Sequence, residues 1–138
     1  MVMPNEGKAR ALALLFGQGG ATPGTLSCRL FSNDVTPTDT FTLASFTEAS
    51  FTGYAAVSVA PGDWDAPTVV SDVGQIDKTT PPVFTCTGGS PQDVYGWYLV
   101  DPGASLVLFT QRFDAPRTMV MGSTESLSPF RIKDKTFA

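Results

Sequence analysis

At 138 residues, 42% apolar and only 16% charged, the chain is long enough for one domain with a real core, and its surface is short of ions. An average protein is about 25% charged, so Thr, Ser and Gly must cover much of this one. The net charge of −4, with nine Lys and Arg mostly spread along the chain, argues against nucleic acid as a partner, and no run approaches the length of a membrane-spanning helix.

The first element is a helix over residues 5–16. Asn5 is placed to cap it, Glu6 sits in the positive field of its first turn, and Gly17 offers a left-handed stop. Leu12, Leu15 and Phe16 fall on one apolar stripe. Lys8 and Arg10 ahead of ALALLFG have the outline of a signal peptide. The apolar run is short, however, Glu6 interrupts the positive region, and no small-x-small cleavage site follows, so a short amphipathic helix is the reading. GQGGATPG, residues 17–24, is a flexible connector, which makes residues 1–24 a candidate arm ahead of a single domain over 25–138.

From residue 26 the apolar period switches to two. Leu26, Cys28 and Leu30 alternate with Ser27, Arg29 and Phe31, as in a half-buried strand. NDVTPTDT is a turn region stiffened by Pro37. Residues 50–59 read as a second strand with Gly53 at a bulge or close approach, and APGDWDAP as a loop around Trp64. Residues 68–73 and 75–78 are short meander strands, and residues 83–87, after two prolines, suit an edge. DVYGWYLVD, residues 93–101, carries the strongest strand signal and should form a hairpin with residues 105–113 across Asp101, Pro102 and Gly103. Residues 117–121 and 126–132 supply the last strands. With neither an internal repeat nor a second domain in view, this pattern predicts a mainly β chain: an antiparallel β-sandwich or jelly-roll-like barrel with one short N-terminal helix.

Signals for chemistry are sparse. The chain has no histidine, which removes the commonest general base and metal ligand, and GQGG and TGGS lack the strand–loop–helix setting of a phosphate loop. Cys28 and Cys86 lie inside strands and read as two buried core thiols in a reducing compartment in preference to a disulfide; without histidine they cannot complete a zinc site. Asp63, Asp65, Asp72 and Asp77 match no calcium loop and read as solvated loop acids. No pair of acids is marked out for glycoside hydrolysis. Trp64, Tyr95, Trp97 and Tyr98 could line a sugar-binding face, but strand alternation puts Tyr95 and Trp97 on one side and Tyr98 on the other, and packing of these rings in the core is the simpler assignment. The expectation is a protein that is not an enzyme and has neither cofactor nor metal.

Several segments resemble small structural proteins of tailed bacteriophages. They are the opening PNEG before a short helix, the stretch LFSNDVTPTDTFTLASFTEASFTGYA, the VYGWY strand at residues 94–98, and the segment from Phe113 to Pro116. Within the long stretch the likeness rests on Leu30, Phe31, Asn33, Thr36-Pro37-Thr38, Phe46, Glu48-Ala49, Phe51 and Gly53-Tyr54, and it covers most of the chain. These proteins are similar to head auxiliary (cement or decoration) proteins, which bind the outside of a capsid and reinforce it. The resemblance implies a β-sandwich or jelly roll, a major capsid protein as partner, self-association as a dimer or trimer, and a place on the virion exterior after synthesis in the host bacterial cytoplasm. Candidate protein-contact residues are Pro4, Asn5, Leu12 and Phe16 at the N-terminal helix, and Arg131, Lys133 and Lys135 in the basic tail. The alternative is a carbohydrate- or receptor-binding module of a tail or fibre, with Trp64 and Tyr98 as ligand contacts.

Overall fold

The computed structural model describes residues 1–22 and 24–134, with only the backbone at positions 15 and 134. The chain forms an antiparallel β-sandwich with one short N-terminal helix. A four-stranded sheet has the order β2-β1-β6-β7, built from Val57–Val59, Leu26–Phe31, Gln92–Asp101 and Leu106–Met119. A three-stranded sheet, β3-β4-β9, is built from Thr68–Val70, Val73–Asp77 and Arg131–Asp134. The strands β5 (Val83–Thr85) and β8 (Thr124–Ser126) form a separate pair. Every strand pairing is antiparallel.

The centre of the molecule is β6, in which Gly96 through Asp101 are all buried. On one face Val94, Trp97 and Leu99 join Cys28 and Leu30 of β1, Phe84 and Cys86 around β5, and Phe130 and Ile132 near β9. On the other face Tyr98 and Val100 meet Phe31, Phe46 and Val107. The cover over that second face is the irregular segment between β1 and β2, which contributes Val35, Phe41 and Leu43 besides Phe46. Phe46 stacks on Tyr98 at 4.7 Å and meets Phe31 at 5.2 Å and Phe41 at 5.6 Å. Each such pair adds about 0.5–1.5 kcal/mol beyond area burial, which explains how a segment whose regular structure is one short 3-10 turn, Leu43–Ser45, covers this face. The two cysteines are free and fully buried in the first cluster.

The alternation expected in DVYGWYLVD breaks once. Register shifts between Val94 and Gly96, where β7 runs on through residues 113–116 instead of stopping, so residues 106–119 form one strand rather than two. The irregularity returns Tyr95 to the face of Tyr98 and leaves Trp97 with Val94, contrary to simple period-two counting. At the same place Gly96 pairs with Phe31, whose ring lies against it; a Cβ at Gly96 would sit 2.6 Å from that ring and closer still to the Gln111 carbonyl oxygen.

Three other expectations are corrected. Only Val57–Val59 of the stretch 50–59 is a strand, because the Gln92 side-chain oxygen accepts the N–H groups of Ser50 (2.8 Å) and Phe51 (3.0 Å) in place of a ladder. The segment 68–73 is strand only to Val70, since Ser71 and Asp72 adopt positive φ and turn the chain into β4. The final strand signal, 126–132, divides into β8 and β9. Gly53, in contrast, makes the close approach expected of it: a Cβ there would be 2.7 Å from the Thr87 hydroxyl.

The helix α1 spans Asn5–Phe16 and ends, as expected, on a left-handed Gly17. Pro4 and not Asn5 takes the N-cap position, and no side chain caps the helix. Asn5 is the first helical residue, its side-chain oxygen accepting from Lys8 at 3.2 Å.

Substitution Gly96→Ala forces the Phe31 ring and the β7 carbonyl apart, and by overpacking should cost about 1–3 kcal/mol in urea unfolding. An unchanged midpoint would show that β6 and β1 do not depend on this contact.

Candidate functional site

Helix α1 lies on β7, and the reason is the small size of the residue facing the strand. A Cβ at Gly7 would stand 2.6 Å from the Leu108 carbonyl oxygen, so only glycine lets the two backbones come this close. Four further contacts fasten the segment. Val2 and Thr110 exchange backbone hydrogen bonds of 2.8 and 2.9 Å, and the Asn5 N–H donates to the Asp39 carbonyl at 2.7 Å. The Glu6 carboxylate accepts the Val107 N–H at 2.8 Å, and Arg10 donates to Asp101 at 2.7 Å. Asp101 is buried at the end of β6, and its second oxygen accepts the Gly103 N–H at 3.1 Å.

Because the helix meets the strand through Gly7, its expected apolar stripe does not seal the core. Phe16 is 76% exposed and Leu12 45% exposed. A large apolar ring is thus held outward on a helix whose other side is pinned.

The remaining sequence candidates separate clearly. Pro4 is fully buried and is closed to a partner. Asn5 is exposed. Arg131 is committed to Asp77 through two hydrogen bonds of 2.6 and 2.7 Å, so it is not a free cation of a tail. These bonds are the main reason Asp77 is held below the usual carboxylate range, and they raise Arg131 in turn. The pair is partly exposed to solvent, which keeps its contribution to stability small. Lys133 is exposed and borders a cleft with Met1, Met3, Phe109 and Gln111. Lys135 lies outside the described residues.

The two ligand-contact candidates of the sugar-binding alternative are not brought together. Tyr98 is 2% exposed and stacked beneath Phe46, so no ligand reaches it. Trp64 is half-buried and stacks on Phe130 at 5.9 Å. Beside it lies a cleft of about 380 Å³ whose apolar walls include Leu14, Leu26, Ile76 and Leu108. The sequence singles out Trp64 but not this cleft, whose walls come from six separate segments. The exposed Val69 and Val70 on β3, an edge strand, also have no sequence signal beyond an ordinary strand pattern.

Two of the loop acids, Asp63 and Asp65, have structural partners. Asp63 accepts the Ala60 N–H at 2.9 Å and lies 3.7 Å from the Lys78 ammonium. Asp65 accepts the Thr79 hydroxyl at 2.7 Å, and Asp72 sits in the β3–β4 turn. Among the described residues, no three metal-ligating side chains cluster, and no buried polar side-chain atom lacks a hydrogen-bond partner. Burial pushes the Cys28 thiol well above its ordinary range, which leaves it inert as a nucleophile at neutral pH. Around Glu48, Arg29 donates at 3.0 Å and the Tyr54 hydroxyl at 2.9 Å, and the same Tyr54 oxygen accepts the Leu30 N–H. These groups tie β1 to the covering segment. No protein-family model and no curated protein matches this chain.

Burial, reinforced by the nearby charge of Glu48 and opposed by Arg29, pushes the Tyr98 phenol from 10.0 up to about 12. The fold favours the protonated ring, so this contribution to stability is fully present below pH 10 and is lost as pH rises through about 12. In Tyr98→Phe the alkaline fall of unfolding free energy across that window should be shallower than in the parent. A slope as steep as the parent's would contradict the assignment.

Proposed function

We propose that this chain is a non-enzymatic structural protein of a tailed-bacteriophage virion, a cement or decoration protein that grips the outside of the shell across seams between major capsid subunits. The observation that carries the reading is the apolar face of α1. Phe16 and Leu12 are exposed on a helix that Gly7, Glu6 and Arg10 hold against the body. An apolar ring kept rigidly in water costs solubility, and a partner surface that covers it offsets that cost. Rigidity matters to the same end, because a group already ordered loses less entropy on docking than a loose arm does.

The surface supports contact of this kind in two further ways. It is poor in charge, so few ions need desolvating when it is covered. The edge strand β3 presents exposed Val69 and Val70 without a lysine between them, which leaves a short stretch of backbone open to a neighbouring strand. The resemblance of the PNEG, LFSNDVTPTDTF and VYGWY segments to phage head auxiliary proteins supplies the partner class. Many weak contacts repeated over a lattice then act together, so each copy need bind only modestly. On this reading the chain also meets copies of itself, as a dimer or trimer.

Particles assembled without the chain should rupture at lower temperature than complete particles. Adding back the parent protein should restore heat resistance, whereas Leu12→Ser/Phe16→Ser, which alters only exposed positions, should fold normally and fail to restore it. Equal heat tolerance of particles with and without the chain would refute the proposal.

A further inference from the structure

The cleft beside Trp64 has a more definite chemistry than a general contact surface. Leu14 of α1, Leu26 of β1, Ile76 of β4, Leu108 of β7 and Trp64 itself form its apolar lining. At about 380 Å³ it is at the small end of the range for ligand sites, large enough for one bulky side chain and part of its neighbour. Among the described residues, its charged lining consists of Asp65 and Asp101, both acidic. Asp101 is neutralised by Arg10, and its oxygens are occupied by Arg10 and by the N–H groups of Gly103 and Ala104. Asp65 is different. It is exposed, and one oxygen accepts the Thr79 hydroxyl at 2.7 Å while the other has no partner among the described residues. Among the described residues, the cleft is therefore an apolar slot with one unmatched carboxylate at its lining and no cation.

We infer that this cleft is a docking site for a partner peptide bearing a bulky apolar side chain next to a lysine or arginine, the apolar group seated between Trp64, Leu26 and Leu108 and the cation on Asp65. Charge complementarity selects the partner: an acidic segment would meet the Asp65 carboxylate unpaired, and a neutral one would leave it without the ion pair. The position of the cleft also couples its occupant to the N-terminal helix, because Leu14 forms one wall while Gly7 and Glu6 hold the same helix on β7. This inference goes beyond the shell reading and stands without it, since it concerns the chemistry of the segment and not the particle that carries it.

The test is a titration of the full-length protein, followed by the NMR signal of the Trp64 indole, assigned with Trp64→Phe. The probes are N-acetylated, C-amidated Lys-Phe and Glu-Phe. The Lys-Phe probe should shift the Trp64 signal and bind on the order of five- to tenfold more tightly than Glu-Phe, the effect of one partly exposed ion pair. Asp65→Asn, which keeps an acceptor for Thr79, should abolish that preference while retaining the shift. Equal binding of the two probes, or no shift with either, overturns the inference. Two controls address other occupants. A Trp64 signal that moves with protein concentration before any probe is added would assign the cleft to a second copy of the chain. A Lys135→Ala/Phe137→Ala variant whose free Trp64 signal differs from the parent's and which binds Lys-Phe more tightly would assign it to the chain's own terminal residues. Either result overturns the proposed partner.

Discussion

Strand β6 is buried on both faces, and most of the molecule is arranged to keep it so. A strand in the middle of a small sandwich normally shows one face to a core and the other to water. Here Trp97 and Leu99 point into one cluster while Tyr98 and Val100 point into another. A sheet whose central strand is dry on both faces needs two covers. The β5–β8 pair and the residues around β9 provide one, and the irregular segment from Asn33 to Phe46 provides the other. Gly96 lets this double packing close, because it allows the Phe31 ring of β1 to lie directly on the β6 backbone.

The same geometry governs the N-terminal helix. With β7 already committed to β6, the edge it offers to α1 is narrow, and Gly7 lets the helix approach it closely. Glu6 illustrates how one side chain serves two physical ends. It sits in the favourable field of the helix start and also accepts a β7 amide that the sheet leaves unpaired. Arg10 and Asp101 repeat the arrangement one turn later, with the buried carboxylate paired and hydrogen-bonded as burial requires. The outcome is a helix fixed through its polar and glycine positions, with Leu12 and Phe16 left facing water. That inversion of the usual amphipathic pattern leaves on the surface the apolar face on which the proposed gripping role rests.

Much of this was legible in the amino-acid order. The helix bounds, the Gly17 stop, strand β1, the long hairpin and the mainly β class follow from local period and turn chemistry, and the structure agrees with each. What was hidden depended on tertiary partners. Gln92 lies some forty residues from the amides it captures, so the loss of strand at Ser50 and Phe51 has no local cue. The register shift that reverses Tyr95 needs the path of β7 as well as that of β6. Leu12 and Phe16 fit a helical stripe whichever way the stripe faces; the residue that decides it is Gly7, whose missing side chain carries no periodicity signal. Of the candidate contacts, Pro4 and Tyr98 proved buried and Arg131 proved paired, for the common reason that sequence pattern gives type and spacing but not neighbours.

The central claim, that this body grips a shell through an outward apolar helix face, is tested most directly by an image reconstruction of the mature virion at a resolution that places side chains. The account predicts density for the chain on the outer surface, at seams between major capsid subunits, with Leu12 and Phe16 of α1 covered by the shell protein. Mature particles without this density, or with the chain present and the α1 face open to solvent, would contradict it.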